Sequence, residues 1–132
     1  MTHRILQPDG WARTRGYSNG VAARGTLVSI AGQIGWTPDQ RLVGPDLVAQ
    51  ARQALQNVVD ILAAAGGRPE HVVRLTWYVT SRAEYLAAAE PLGEAYRAVM
   101  GRHFPAMTAV EVTALMEAGA VVEIEATAVI PD

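Results

Sequence analysis

Apolar positions recur along this chain with two different periods. Between residues 47 and 65 they fall at Leu47, Ala51, Ala54, Leu55, Val58, Ile61, Leu62 and Ala65. This is the three-and-four spacing of one helical face, and Gln53, Gln56 and Asp60 lie opposite it. Asp46 is placed to cap this helix and Gly66-Gly67 to stop it. A second stripe, Tyr85, Ala88, Ala89, Leu92, Tyr96 and Val99, follows a capping box made by Ser81 and Glu84 and ends at Gly101. Pro91 lies inside this run. It lacks an N–H and its ring crowds the preceding turn, which predicts a kink or a fresh helical segment there.

Period-two segments account for the rest. Val21 to Ala31 reads as a strand pair or one bent strand, punctuated by Gly25. Val72 to Thr80 places Leu75, Trp77 and Val79 on one face. Thr108 to Val112 and Val121 to Ile130 are the closing strands. In the last, Val122, Ile124, Ala126, Ala128 and Ile130 share one face, and Val121, Glu123, Glu125, Thr127 and Val129 share the other. Trp36 to Pro45, with two prolines, a glycine and Asp39, is a loop.

The predicted order is β-β-α-β-α-β-β, an α+β chain in which two one-sided helices cover one face of a mixed sheet. The other face mixes Glu123 and Glu125 with Val121 and Val129. A face of that kind fits against another copy of the chain.

Length and composition narrow the function. The 132 residues fit one domain, residues 1–132. Half are hydrophobic and 18% are charged, enough for a packed core. The net charge is −2, and no basic stripe exists to neutralise a phosphate backbone, so nucleic acid is not an expected partner. No apolar run approaches a membrane span. Met1 to Gly10 shows no apolar core of a secretory signal, and a cytoplasmic protein is expected. Cysteine is absent, which excludes disulfides and thiolate chemistry. His3, His71 and His103 are far apart without ligand spacing, so no metal site is expected. Gly16 to Gly20 lacks the Lys-Ser or Lys-Thr of a phosphate loop, and no serine sits in a Gly-x-Ser-x-Gly elbow.

Several short stretches become specific when taken in order. They are Gly16-Tyr17-Ser18, Ala31-Gly32-Gln33-Ile34, the run from Gln50 to Val58, Ala65-Gly66, Phe104-Pro105-Ala106, and Val122 to Val129. Together they resemble the Rid family (YjgF-like, or L-PSP) over nearly the whole length. The resemblance implies a chorismate-mutase-like α+β fold and a homotrimer. Three sheets would line a central barrel, with small-molecule pockets between subunits. It also implies hydrolysis of enamines or imines formed from amino acids, giving a 2-oxo acid and ammonia without cofactor or metal.

Carried over by residue, Tyr17 shapes the pocket, Gly32 gives backbone contacts and Glu123 positions water. In typical members an arginine after Pro-Ala grips the substrate carboxylate; here Met107 stands in that place. The helix between Tyr85 and Tyr96 is also about one turn longer than in typical deaminases, and their asparagine is not evident. A guanidinium offers two parallel donors and a permanent charge, and a thioether offers neither. Removing one partner of a buried charge pair costs on the order of 2–5 kcal/mol. Arg15, Arg102 and His103 are the nearby candidates for a substitute cation.

Each candidate has a plainer reading. Tyr17 and Trp77 pack as ordinary aromatics or line a ligand pocket, where Trp77 would stack on a planar substrate. Glu123 is a solvated strand carboxylate or the group that orders water. Met107 fills an interface or lines a pocket for a neutral ligand. Arg15, Arg102 and His103 read as surface groups unless the fold brings them to a pocket. Glu125 belongs to the trimer core or rim, and Glu111 has no assignable role. The leading expectation is a hydrolase of an enamine, imine or related metabolite with specificity changed by Met107. A non-catalytic small-molecule binder is the alternative. Ribonuclease activity, suggested only by the family's other name, is third, since no aromatic stacking array is visible.

Overall fold

A computed structural model of the chain describes residues 3–132; the first two residues of the expected single domain lie outside it. The architecture is α+β, as the sequence pattern predicts. A four-stranded mixed sheet has the order β3 (Thr26–Gln33), β6 (Val122–Ile130), β4 (Val72–Val79), β5 (Ala106–Glu111). β6 runs antiparallel to both β3 and β4, whereas β4 and β5 are parallel. A separate two-stranded ribbon pairs β1 (Arg4–Leu6) with β2 (Gly20–Ala22). The expected pair in Val21 to Ala31 is thus two strands that do not pair with each other.

Helix α1 (Leu47–Ala64) buries Leu47, Ala51, Ala54, Leu55, Val58 and Leu62 against the sheet, as its spacing predicts. Ile61, read as part of that stripe, is exposed. The Asp46 carboxylate accepts the Ala49 N–H at 2.9 Å and caps the first turn. At the other end Gly66 N–H donates to the Ala63 carbonyl and Gly67 N–H to that of Leu62. Gly66 itself has φ +83°, the left-handed conformation that closes such a helix end.

The second helical run is broken. α2 (Arg82–Ala87) starts at the Ser81 cap, whose hydroxyl accepts the Glu84 N–H, and α3 (Ala89–Met100) follows. The break falls at Ala88, so Pro91 sits in the first turn of α3, where its missing N–H interrupts no helical bond. Glu111, at the end of β5, accepts the Arg82 N–H at 2.7 Å and ties α2 to the sheet. The core lies between α1, α3 and one sheet face, where Val72, Leu75, Trp77 and Val79 meet Val122, Ile124, Ala126 and Ala128.

Gln50 is a buried polar residue at the centre of this packing. Its amide donates to the Gly44 carbonyl at 2.8 Å and the Gly119 carbonyl at 2.9 Å, and its oxygen accepts the Val121 N–H at 2.9 Å. One side chain therefore joins the loop before α1 to the entry of β6. Among the described residues no helix is long and apolar enough to cross a membrane.

Candidate functional site

The segment before β2 is pinned to the start of β5. Ser18 N–H donates to the Pro105 carbonyl at 3.0 Å, and the Ser18 hydroxyl donates to the Phe104 carbonyl at 2.6 Å. This seam carries the family-like stretches Gly16-Tyr17-Ser18 and Phe104-Pro105-Ala106 to one place. Beside it opens a cavity of about 210 Å³ between α3 and the helix-covered side of β4 and β5. The sheet contributes Trp77 and Met107, and the pinned seam contributes Arg15, Gly16 and Phe104. The helices contribute Tyr85, Ala89, Leu92, Gly93, Tyr96 and Arg97.

Four of the eleven lining residues are aromatic. Trp77 meets Tyr85 edge-on, with ring centroids 6.0 Å apart, and Tyr96 stacks on Phe104 at 5.6 Å. Tyr96 O–H donates to the His103 carbonyl at 2.5 Å, and burial pushes its phenol pKa well above the usual tyrosine range. Burial likewise raises Tyr85. These rings are therefore neutral at physiological pH. Arg15 and Arg97 are exposed at the rim. The ion pairs among the described residues are Arg41–Asp39 and Arg68–Glu70, so neither rim guanidinium is paired.

Of the candidates for a substitute cation, only Arg15 lines this cavity. Arg102 is exposed outside it. His103 Nε2–H donates to the Val72 carbonyl at 2.7 Å, which holds its ring against the backbone and away from the cavity. Tyr17 is 40% exposed, next to the lining residue Gly16 but outside the lining itself. The sequence pattern marks Tyr85 and Tyr96 only as packing residues of a helical stripe and does not mark Arg97. The signal that could have found Arg97 is its place one helical turn after Gly93, where a Cβ would stand 3.1 Å from its Nη1.

Gly32 and Glu123 form a second locus. A Cβ at Gly32 would run into the Glu123 side chain, with Cδ 2.8 Å away. Glu123 stands opposite Tyr78 across the β4–β6 pairing, and Tyr78 stands opposite Val110 on β5. The adjacent Glu125 carboxylate accepts the Tyr78 O–H at 2.6 Å, and this bond, followed by desolvation, raises the phenol pKa. Met107 instead stands opposite Leu75, which stands opposite Ala126 in the core. Cross-strand partners share a face, so Met107 and Glu123 lie on opposite faces of the sheet. One chain does not bring them together.

Comparison with known proteins places this geometry. The Endoribonuclease L-PSP family profile matches residues 10–130. Protein DfrA of Myxococcus xanthus is 36% identical, covering 98% of this chain and 97% of that protein. The 2-iminobutanoate/2-iminopropanoate deaminase of Salmonella typhimurium is 37% identical, covering 98% of each. The crystal structure of YyfB from Yersinia pestis, a Rid-family protein of unknown function, superposes with a TM-score of 0.85 at 33% identity, covering 98% of this chain and 100% of that one. The chain belongs to the Endoribonuclease L-PSP family, also called YjgF or Rid.

Proposed function

We propose that this protein is a Rid-type hydrolase, one domain over its whole length, acting on an imine or enamine of an amino acid. The kinship with the deaminase of Salmonella typhimurium supports the reaction class. The observation that carries the site is the close approach of the Gly32 backbone to the Glu123 carboxylate. That carboxylate makes no hydrogen bond to the protein among the described residues, so it is free to accept one from water. Glu123 takes a proton as water adds to the imine carbon. The carbinolamine collapses to a 2-oxo acid, and the proton leaves with ammonia. Met107 removes the usual carboxylate grip and shifts specificity away from typical substrates.

The working unit is a homotrimer with pockets between subunits. The separation of Met107 and Glu123 onto opposite faces supports this, because a site using both needs two chains. Exposed Leu27 and Val110, at 65% and 41%, add apolar area to the sheet strands that a neighbour would cover. Sedimentation equilibrium at three times the chain mass is the expected result; a monomer over the working concentration range sinks the intersubunit site.

Ammonia release from imines generated in situ from several amino acids tests the reaction. Native protein should release ammonia from at least one, and Glu123→Gln from none. No release from any of them by pure native protein removes the proposal. A non-catalytic binder is the second reading, favoured by Met107 in the arginine's place; a ligand bound tightly and recovered unchanged would establish it. The net charge of −2 weighs against RNA, and intact single-stranded RNA after incubation should confirm that.

A further inference from the structure

The cavity between α3 and the sheet carries two guanidinium groups and an apolar wall that the hydrolytic reading does not use. Among the described residues, the indole Nε1 of Trp77 is the buried side-chain polar atom without a hydrogen-bond partner. Trp77 is 3% exposed and lines the cavity. That nitrogen is sealed from the open cavity, so the indole meets a ligand there as an apolar wall and not as a donor.

Two further observations describe that ligand. Tyr85, Leu92, Tyr96, Phe104 and Met107 give the walls an apolar, largely aromatic surface. Arg97 and Arg15 stand at the mouth with no carboxylate paired to either. The volume of about 210 Å³ exceeds the ~150 Å³ that holds a benzene ring.

We propose that this cavity binds a small organic monocarboxylate carrying one aromatic or similarly bulky apolar group. The apolar body lies against the aromatic walls. Arg97 and Arg15 hold the carboxylate at the rim. Arg97 thereby replaces, from α3, the cation that Met107 removes from β5. The choice of a 2-oxo acid as probe rests on the hydrolase reading above. With it, the substrate becomes the imine of a bulky apolar amino acid rather than a small one. Arg97 also lies in the last turn of α3, where a cation is favourable for the helix alone, so the test must read binding.

Calorimetric titration of the native protein with phenylpyruvate and with pyruvate is the decisive experiment. Phenylpyruvate should bind at least about tenfold tighter, from the apolar area it buries. Arg97→Met should weaken it about tenfold or more. Equal affinity for the two acids, or unchanged phenylpyruvate binding in Arg97→Met, overturns the proposal. Arg97 is exposed, so its variant keeps the fold. Ammonia release separates the two readings. Phenylpyruvate bound through Arg97 without imine hydrolysis leaves the cavity site standing and removes the reaction. Hydrolysis of small imines without phenylpyruvate binding does the reverse.

Discussion

The Gly32 backbone leaves no space for a side chain beside Glu123, whose Cδ would stand 2.8 Å from a Cβ built there. The obstacle is the far end of a flexible carboxylate rather than backbone. Gly32→Ala should therefore cost little stability, about 1 kcal/mol at the low end of overpacking, while turning the Glu123 carboxylate out of place. Imine hydrolysis should fall by about a hundredfold or more, as it should in Glu123→Gln. A Gly32→Ala protein with native activity would show that the position of the carboxylate is immaterial.

Gln50 satisfies three backbone groups at once: the carbonyls of Gly44 and Gly119 and the Val121 N–H. Gln50→Leu keeps the apolar packing of α1 and leaves all three without that partner. At roughly 1–3 kcal/mol for each group that cannot reach water, a loss of about 3 kcal/mol is expected. Urea unfolding measures it, and a loss below about 1 kcal/mol would mean the loops relax to find other donors for the carbonyls and another acceptor for the Val121 N–H.

How far such features could be read from the sequence depended on whether they left a periodic mark. α1 and β6 did, because each buries one face: Val122, Ile124, Ala126 and Ala128 are buried just as their alternation indicates. β1 left no mark. All three of its residues are exposed, and it is held by pairing with β2 rather than by a buried face. Pro91 pointed correctly to a break, but the break falls at Ala88, since proline is accommodated in the first turn of a new helix. The site was readable in pieces. Trp77, Met107 and Arg15 share the cavity, whereas Arg97 looks like any charge on an exposed helical face until its neighbours are known. Pairing of strands, not sequence distance, put Met107 and Glu123 on different faces.

His71 should make stability depend on pH. It is buried, and its Nδ1 accepts the Arg68 N–H at 2.9 Å, which requires the neutral ring. Burial, helped by the Arg68 charge, lowers its pKa from 6.5. The unfolded chain then binds more protons than the folded one between the lowered pKa and 6.5. Stability is full above pH 6.5 and declines as pH falls through the folded value, by at most about 1.4 kcal/mol per pH unit. His71→Asn keeps an acceptor for Arg68 without titrating. Urea unfolding at pH 7.5 and 5.5 should show a smaller pH slope in the variant; equal slopes would assign the dependence to other groups.

Met107→Arg asks whether the protein can be returned to the arginine-bearing chemistry. Met107 packs against the core on the helix-covered face, and its neighbours in the cavity include two unpaired guanidinium groups and no carboxylate. A third cation there meets like charge and apolar walls, so the empty variant should lose about 1–3 kcal/mol. A carboxylate ligand relieves the repulsion. Saturation at a hundred times Kd stabilises the folded state by about 2.7 kcal/mol, which would recover most of that loss. The cavity is also shortened by the longer, charged side chain. Preference should move from phenylpyruvate toward pyruvate, and release of ammonia from small imines should rise above the native level. Thermal melting with and without each acid reads the first effect, and initial rates read the second. A variant as stable as the native protein, with unchanged preference between the two acids, would show that the Met107 side chain does not face the ligand.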